Sequence, residues 1–415
     1  MSAAAIIAER RREAESRFAA EGLPHRRIEA WRYTDLRKAL PHDLAAPAPW
    51  SGAVVREGAL ADPFAGLDAD TLVFTNGIFR ADLSRLPGEA AIRIADLSGD
   101  PPEWARDALA APREAPAAPM ADLALARMTG GVAIRVSHNF KAARPLHLAF
   151  LNRSSPGEAR QVRIVLVLAT GAELTLLESH AGEGGGALTN LAIDLSAAAN
   201  ARLTHLKIAD DAGADTHVST LTGEIHAAAL YDAAIVSCGG ALARHETRVR
   251  LAARMADLRL TGIALLAGSQ HADITAVADH AVRDGRSDLA FKSVLAGRAR
   301  GVAQGRILVR PGADGTDSRQ QTRALLLSPH AEADAKPELE IHAGDVTCGH
   351  GVAIGDLDAD ALFYLRSRGI PLPPARALLT EAFLEEALAR LPAGPAAEAM
   401  RAFVLARLHG LEAAP

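Results

Sequence analysis

Short runs of alternating apolar and polar residues dominate the middle of the chain, from about residue 132 to residue 347. Val-Ala-Ile-Arg-Val (132–136), Leu-His-Leu-Ala-Phe-Leu (146–151) and Val-Arg-Ile-Val-Leu-Val-Leu (162–168) begin the series. Similar segments then return at nearly regular intervals. Glu173, Arg202, Tyr231, Asp257 and Asp288 each open such a run, and the steps between them are 29, 29, 26 and 31 residues. Side chains of a strand point alternately to its two faces, so this period-two pattern predicts half-buried β-strands. A unit of two or three strands that recurs without helix-length segments predicts stacked coils, a β-helix or solenoid. An antiparallel sandwich with a strand every 8–12 residues is the competing arrangement.

The flanks carry a different pattern. Residues 3–21 read as an amphipathic helix closed by Gly22, and Asn76-Gly77 between two β-type runs predicts a hairpin over 71–80. Pro-rich stretches follow near 41–49 and 101–119. Beyond the strands, Asp358 can cap a helix that ends before Gly369 and Pro371. A second helix starts near Pro374 and spaces Leu378, Leu379, Ala382, Phe383, Ala387 and Leu391 in three- and four-residue steps. A third opens at Pro395, carries Met400, Phe403, Val404 and Leu408 on one face, and stops at Gly410. These three helices form either a cap for the open end of the solenoid or a docking module. The expected organisation is an N-terminal helical region with a small hairpin (1–120), a β-helix core (121–352) and a C-terminal helical domain (353–415).

Composition narrows the function classes. The 415 residues carry a formal net charge of −5, which gives no electrostatic footprint for nucleic acid or an anionic membrane. No apolar stretch approaches the roughly 18 residues of a membrane span, and the N-terminus turns charged after Ile7 rather than forming a secretory core, so a cytoplasmic location is expected. Aromatic residues make up only 4%, too few for extended sugar-binding or single-strand platforms. The chain holds no G-x-x-x-x-G-K-[ST] loop of its own for nucleotide phosphates. Gly-Glu-Gly-Gly-Gly-Ala (182–187) formally fits a dinucleotide pattern, but a strand-like run follows it instead of a helix, so it reads as a turn. Histidines such as His205, His217 and His226 sit within alternating runs and read as structural.

Two cysteines can neither build a disulfide framework nor supply the four thiolates of an iron–sulfur site. Cys238 ends an apolar run and reads as a buried hydrophobe. Cys348 lies in Ile-His-Ala-Gly-Asp-Val-Thr-Cys-Gly-His-Gly (341–351), two residues before His350. On an extended strand the two side chains leave on one face, roughly 7 Å apart, and make half of a soft-metal or iron–sulfur site. The remaining ligands would come from another chain; packing of both residues at the last turn before the helices is the plainer alternative.

The segment from Pro337 to Asp358, continued through Leu-Phe-Tyr-Leu-Arg-Ser-Arg-Gly-Ile-Pro (362–371), closely resembles the C-terminal signature of the SufB/SufD family, scaffold components of the SUF iron–sulfur cluster assembly machinery. Glu-Ala-Trp-Arg-Tyr-Thr-Asp-Leu (29–36) and Leu-Val-Phe-Thr-Asn-Gly-Ile-Phe (72–79) are similar to N-terminal stretches of its SufD branch. Arg323 stands where SufB carries a functional cysteine, and His350-Gly351-Val352 replaces a His-Glu-Ala of SufB, which also places the chain on the SufD side.

The resemblance implies a mainly β protein, a right-handed parallel β-helix with helical regions at both ends, acting as a non-enzymatic scaffold. It implies pairing with SufB through the β-helix, docking of the SufC ATPase through the C-terminal helices, and a homodimer through the same solenoid surface when the chain is alone. Docking falls to Leu362, Phe363, Arg366, Ile370, Leu379 and Phe383. Cys348 and His350 are the expected metal and cluster ligands of a transient iron–sulfur cluster shared with SufB, and flavin (FAD) is a further cofactor raised at the level of the complex. Two other readings stand beside this one: a β-helix polysaccharide lyase or hydrolase, and a freestanding metal-binding protein.

Overall fold

The computed structural model describes residues 2–41, 44–48, 50, 62–111 and 118–413. Three strands lie in the N-terminal region: β1 (Asp70–Thr75), β2 (Ile78–Phe79) and β3 (Ile92–Asp96). The coils are built from β4 (Gly130–Val136), β5 (Leu146–Ser154), β6 (Ala159–Leu168), β7 (Glu173–Gly184), β8 (Leu188–Ala197), β9 (Arg202–Asp210), β10 (Thr216–Ile225), β11 (Leu230–Ser237), β12 (Leu242–Leu251), β13 (Asp257–Leu266), β14 (His271–His280), β15 (Arg286–Leu295), β16 (Arg300–Val309), β17 (Thr316–Leu326), β18 (Glu332–Ile341) and β19 (Val346–Gly355). Odd-numbered strands from β5 to β19 form one sheet and even-numbered strands from β4 to β18 the other. Neighbours within each run are parallel, giving a two-sheeted solenoid of about eight turns.

Winding resolves the usual need of parallel strands for a long crossover, because each coil returns to its own sheet after crossing the other. The register runs Glu173, Arg202, Leu230, Asp257, Arg286 and Asp317 from coil to coil. Two of the sequence markers therefore sit late: Tyr231 is one residue, and Asp288 two residues, beyond the true start of its strand. Backbone pairing begins before the first visible alternation of side chains. Positive φ values recur at the turns, at Asn200, Ala228, Met255 and Asp284. Such values are uncommon outside glycine; here inter-coil bonds hold the turns, as from Asn200 N to Ala227 O (2.8 Å) and from Ala228 N to Arg254 O (3.0 Å). The next turn has Gly315 at φ 74°, where a Cβ would meet Asp284 Oδ1 at 2.4 Å.

Inward positions make the main core. Leu174 and Leu176, Leu203, Tyr231 and Ala233, Leu258 and Leu260, and Leu289 and Phe291 stack from coil to coil. Each fully buried aliphatic side chain contributes about 1.5–3 kcal/mol. Outward positions are apolar as well, and each sheet is covered by helices. Around α1 (Ala3–Glu21), α2 (Leu36–Ala39), α3 (Glu103–Ala110) and α4 (Pro119–Ala126), the N-terminal region places Trp31, Leu36, Met120 and Leu123 against Leu188, Val218 and Leu242 of the even sheet. On the odd sheet, α6 (Leu372–Leu388) and α7 (Pro395–Ala413) lay Leu384, Leu388, Met400, Val404 and Leu408 over Leu206, Val236, Ile263 and Val294.

Several expectations hold in detail. α1 ends at Gly22 (φ 66°) as read, and the hairpin pairs Phe74 with Phe79 around Asn76 and Gly77. α5 (Ala359–Ser367) is capped by Asp358, whose side chain accepts from Ala361 N at 2.8 Å. Glycines 184, 185 and 186 have positive φ, as a turn requires.

β1 pairs with β5 in parallel and β3 with β4 antiparallel, so N-terminal strands extend both solenoid sheets. The helix ends differ from the expectation. α6 starts two residues before Pro374, and α7 runs through Gly410 to Ala413, because one glycine costs a helix only about 1 kcal/mol. α6 and α7 cover a sheet face rather than the open end, because the outward residues beneath them are apolar and must be covered.

Candidate functional site

β19 is the terminal strand of the odd sheet, bonded to β17 on one side; among the described residues no strand lies on its other side. Its register with β17 pairs Ser318 with Cys348, Gln320 with His350, Thr322 with Val352 and Ala324 with Ile354. These residues continue the inward columns of the solenoid, but no further coil covers them. Cys348 is half-buried against the internal apolar core, whereas His350 is exposed. Ile341, Val352 and Ile354 are 40–45% exposed, so this end presents an open edge, apolar side chains and two ligand types together.

One coil down, Gln320 is buried with neither its side-chain nitrogen nor its oxygen hydrogen-bonded, and Thr322 Oγ1 is likewise without a partner. The side chain of Gln320 occupies space that Gly305 leaves, where a Cβ would come within 2.3 Å of Nε2. Burial and the nearby Asp317 carboxylate raise the Cys348 thiol above its ordinary pKa, so the thiolate is a minor species near neutral pH unless a metal or another cation is bound. Among the described residues, no third His, Cys, Asp or Glu joins Cys348 and His350 at metal-coordinating distance.

The residues expected to dock a partner separate into two groups. α5 has no buried residue; Phe363 is 74% exposed, Arg366 is exposed, and Leu362 and Ile370 are partly covered. Leu379 is partly covered on α6. Phe383 is engaged within the chain: it packs against the sheet-covering cluster, and the Lys292 ammonium lies 4.2 Å from its ring centroid. Lys292 also reaches Glu386 at 2.9 Å, and Arg323 reaches the same carboxylate at 2.8 Å, so Arg323 helps to tie α6 to the solenoid.

Sequence reasoning missed a polar cluster inside the solenoid. Glu178, His180, His205, Lys207, His217 and His245 all occupy buried inward positions. Glu178 receives Lys207 at 2.7 Å, His180 Nε2 at 2.6 Å and His205 Nε2 at 3.0 Å. Burial opposes its ionisation, but Lys207 and these hydrogen bonds outweigh that and hold Glu178 well below the carboxylate range. Burial and the charge field of His217 lower His180 to about 4, leaving its imidazole neutral near pH 7. A signal was present: Glu178 and His180 share the parity of the apolar Leu174 and Leu176, so a charged residue stood at an inward position.

The fold defines the class: a parallel β-solenoid whose sheets are covered by helical regions and whose last coil is left open. Sequence comparison then identifies the lineage. Residues 150–383 match the SUF system FeS cluster assembly, SufBD core domain, and residues 1–146 match the SufBD protein N-terminal region. The chain belongs to the SufBD family of SUF-system iron–sulfur cluster assembly proteins. It is 29% identical to an iron–sulfur cluster assembly SufBD family protein of Synechocystis, over 93% of this chain and 88% of that one. It is 30% identical to the iron–sulfur cluster assembly protein SufD of Escherichia coli, over 88% of this chain and 84% of the relative. A SufBD family protein of Mycobacterium bovis is also 30% identical, over 89% and 85%. Family membership removes the polysaccharide lyase alternative. The flavin expectation gains no support from the fold or the relatives.

Proposed function

We propose that this chain is a SufD-like, non-catalytic scaffold subunit that pairs with SufB through its open solenoid end and docks the SufC ATPase through α5 and the start of α6. An unpaired strand edge is a template for pairing with another chain, and the exposed Ile341, Val352 and Ile354 provide apolar area for such a contact. The observation that carries the reading is the two-ligand edge: Cys348 and His350 stand on the terminal strand, above Ser318 and Gln320, with half the donors a tetrahedral metal requires. The iron–sulfur cluster is cargo, built where a SufB surface completes the set, with His350 as the exposed imidazole ligand and Cys348 beside it. The likeness to SufD of Escherichia coli supports the branch, and the exposed face of α5, with Phe363 and Arg366, supports the docking site. The same edge supports a homodimer of the isolated chain.

Co-expression with SufB and SufC tests both parts. A His350→Ala complex should assemble normally yet carry at least 10-fold less iron and sulfide after reconstitution; an undiminished cluster yield would overturn the site. Phe363→Asp with Arg366→Glu should abolish SufC co-purification while the solenoid keeps its β-type circular dichroism. Retained SufC would move the docking surface elsewhere.

A further inference from the structure

Away from the open end, the middle of the solenoid holds a second constellation of ligand-type side chains. His180 lies on β7, His217 at the start of β10, and Asp211 in the turn between β9 and β10. All three are more than nine-tenths buried. One donor atom from each falls within 4.8 Å of the other two, and among the described residues these three form the group with metal-ligand geometry. The His180 and His217 rings meet edge to face with centroids 4.5 Å apart. His217 Nδ1 is 2.9 Å from Asp211 Oδ2.

Two features separate this group from an ordinary buried hydrogen-bond network. His180 Nδ1 and Asp211 Oδ1 are buried with no hydrogen-bond partner, although buried polar atoms are paired in the great majority of cases. His180 also has the outer partner that metal-binding imidazoles have, since its Nε2 meets the Glu178 carboxylate at 2.6 Å, which fixes the tautomer and leaves the Nδ1 lone pair free. Around the group, His217 Nε2 lies 3.3 Å from Lys207 Nζ, itself held by Glu178, and the His245 ring centroid is 5.0 Å from that of His217.

One side of the group, at Asp211, borders a cavity. Asp211 lines a cavity of about 460 Å³ whose wall includes Asp62, Cys238, Gln270, Phe403 and Arg407. Arg407 of α7 pairs with Asp210 at its rim.

We infer that His180, Asp211 and His217 form a buried binding site for a divalent metal of the zinc or ferrous-iron class, entered from the cavity beside Asp211. Two imidazoles and one carboxylate suit these borderline cations, and the three ligands leave a further position towards the cavity. In a closed tetrahedral shell donor atoms are about 3.3 Å apart; the three donors here lie within 4.8 Å of one another, with His217 Nδ1 and Asp211 Oδ2 at 2.9 Å, so binding needs only small side-chain adjustments. The site is independent of Cys348 and His350, and its presence or absence leaves the scaffold reading untouched.

The test uses the full chain carrying Cys348→Ser and His350→Ala, which removes the exposed pair without touching the interior. After stripping with chelator, anaerobic titration with Zn2+, Fe2+ and Co2+ should give one equivalent bound per chain. Bound Co2+ should show ligand-field bands without thiolate-to-metal charge transfer. Asp211→Asn and His217→Gln in the same background should weaken Co2+ binding at least 100-fold. No equivalent bound by the double variant overturns the site, as does a thiolate charge-transfer band, which would place the metal on Cys238. Unchanged affinity in folded Asp211→Asn and His217→Gln chains overturns it too; if those chains fail to fold, the stoichiometry and spectrum of the double variant decide.

Discussion

The guanidinium of Arg244 lies over the indole of Trp31, with Cζ 4.2 Å from the ring centroid. This contact joins the N-terminal region to the middle of the solenoid across more than 200 residues of chain. Arg244 also pairs with Asp273 and donates to Ala30 O at 2.9 Å, and Thr34 donates to Asp273 at 2.6 Å. The Glu-Ala-Trp-Arg-Tyr-Thr motif is therefore a clamp on the even sheet.

Removing either half of that clamp should be costly. Trp31→Ala is expected to destabilise the N-terminal region by about 3–5 kcal/mol, through lost burial and the cavity left behind. Arg244→Ala should cost a similar amount, because Asp273 would stay buried without its cation, while Glu246 would keep Arg248. Hydrogen exchange over residues 23–40 and 119–126 measures the effect, and unchanged protection there would refute the clamp.

A buried histidine sets a pH dependence. Burial lowers His280 from 6.5 to about 4 despite the opposing Asp279 charge, and its Nε2 meets Ser287 Oγ at 2.8 Å. Between about pH 6.5 and pH 4 the unfolded chain binds a proton at this position that the folded chain does not, so stability rises with pH across the window. The contribution is complete above about pH 6.5 and disappears as pH falls towards 4, with a span of the order of 3 kcal/mol. Urea titrations at pH 7.5, 6, 5 and 4 should show a steeper loss for the native chain than for His280→Asn. Parallel curves would exclude His280 as the source.

The two thiols should differ in reactivity. Burial and the nearby Asp211 push the Cys238 thiol far up, and its Sγ contacts Ala209 O at 3.6 Å. Cys348 is also raised, but it sits half-buried on a terminal strand. Iodoacetamide at pH 8 should therefore label Cys348 first, with Cys238 at least ~100-fold slower until the chain is denatured. Pairing with SufB should protect Cys348; equal labelling of both thiols in the folded chain would contradict the assigned burial.

Much of the architecture was legible because it is local. Alternation exposed the strands, Asn76-Gly77 marked the hairpin, and Gly22, Asp358 and Gly369 marked helix ends through capping and left-handed conformations. Boundaries that depend on packing were not. The end of α7 runs past Gly410 because a weak propensity yields to tertiary contacts, and the strands of residues 70–96 join the solenoid sheets through partners some 40 to 80 residues away.

At the candidate site, adjacency in sequence placed Cys348 and His350 on one face of one strand, and two cysteines in 415 residues already required outside ligands for any cluster. Tertiary structure alone decided that this strand is the terminal one, that Phe383 is engaged by Lys292 while Phe363 is exposed, and that His180, Asp211 and His217 converge. The reason is physical. Side-chain parity and turn chemistry are written within a few residues, whereas coil-to-coil register stacks residues about 30 positions apart, and small differences in turn length decide which of them meet.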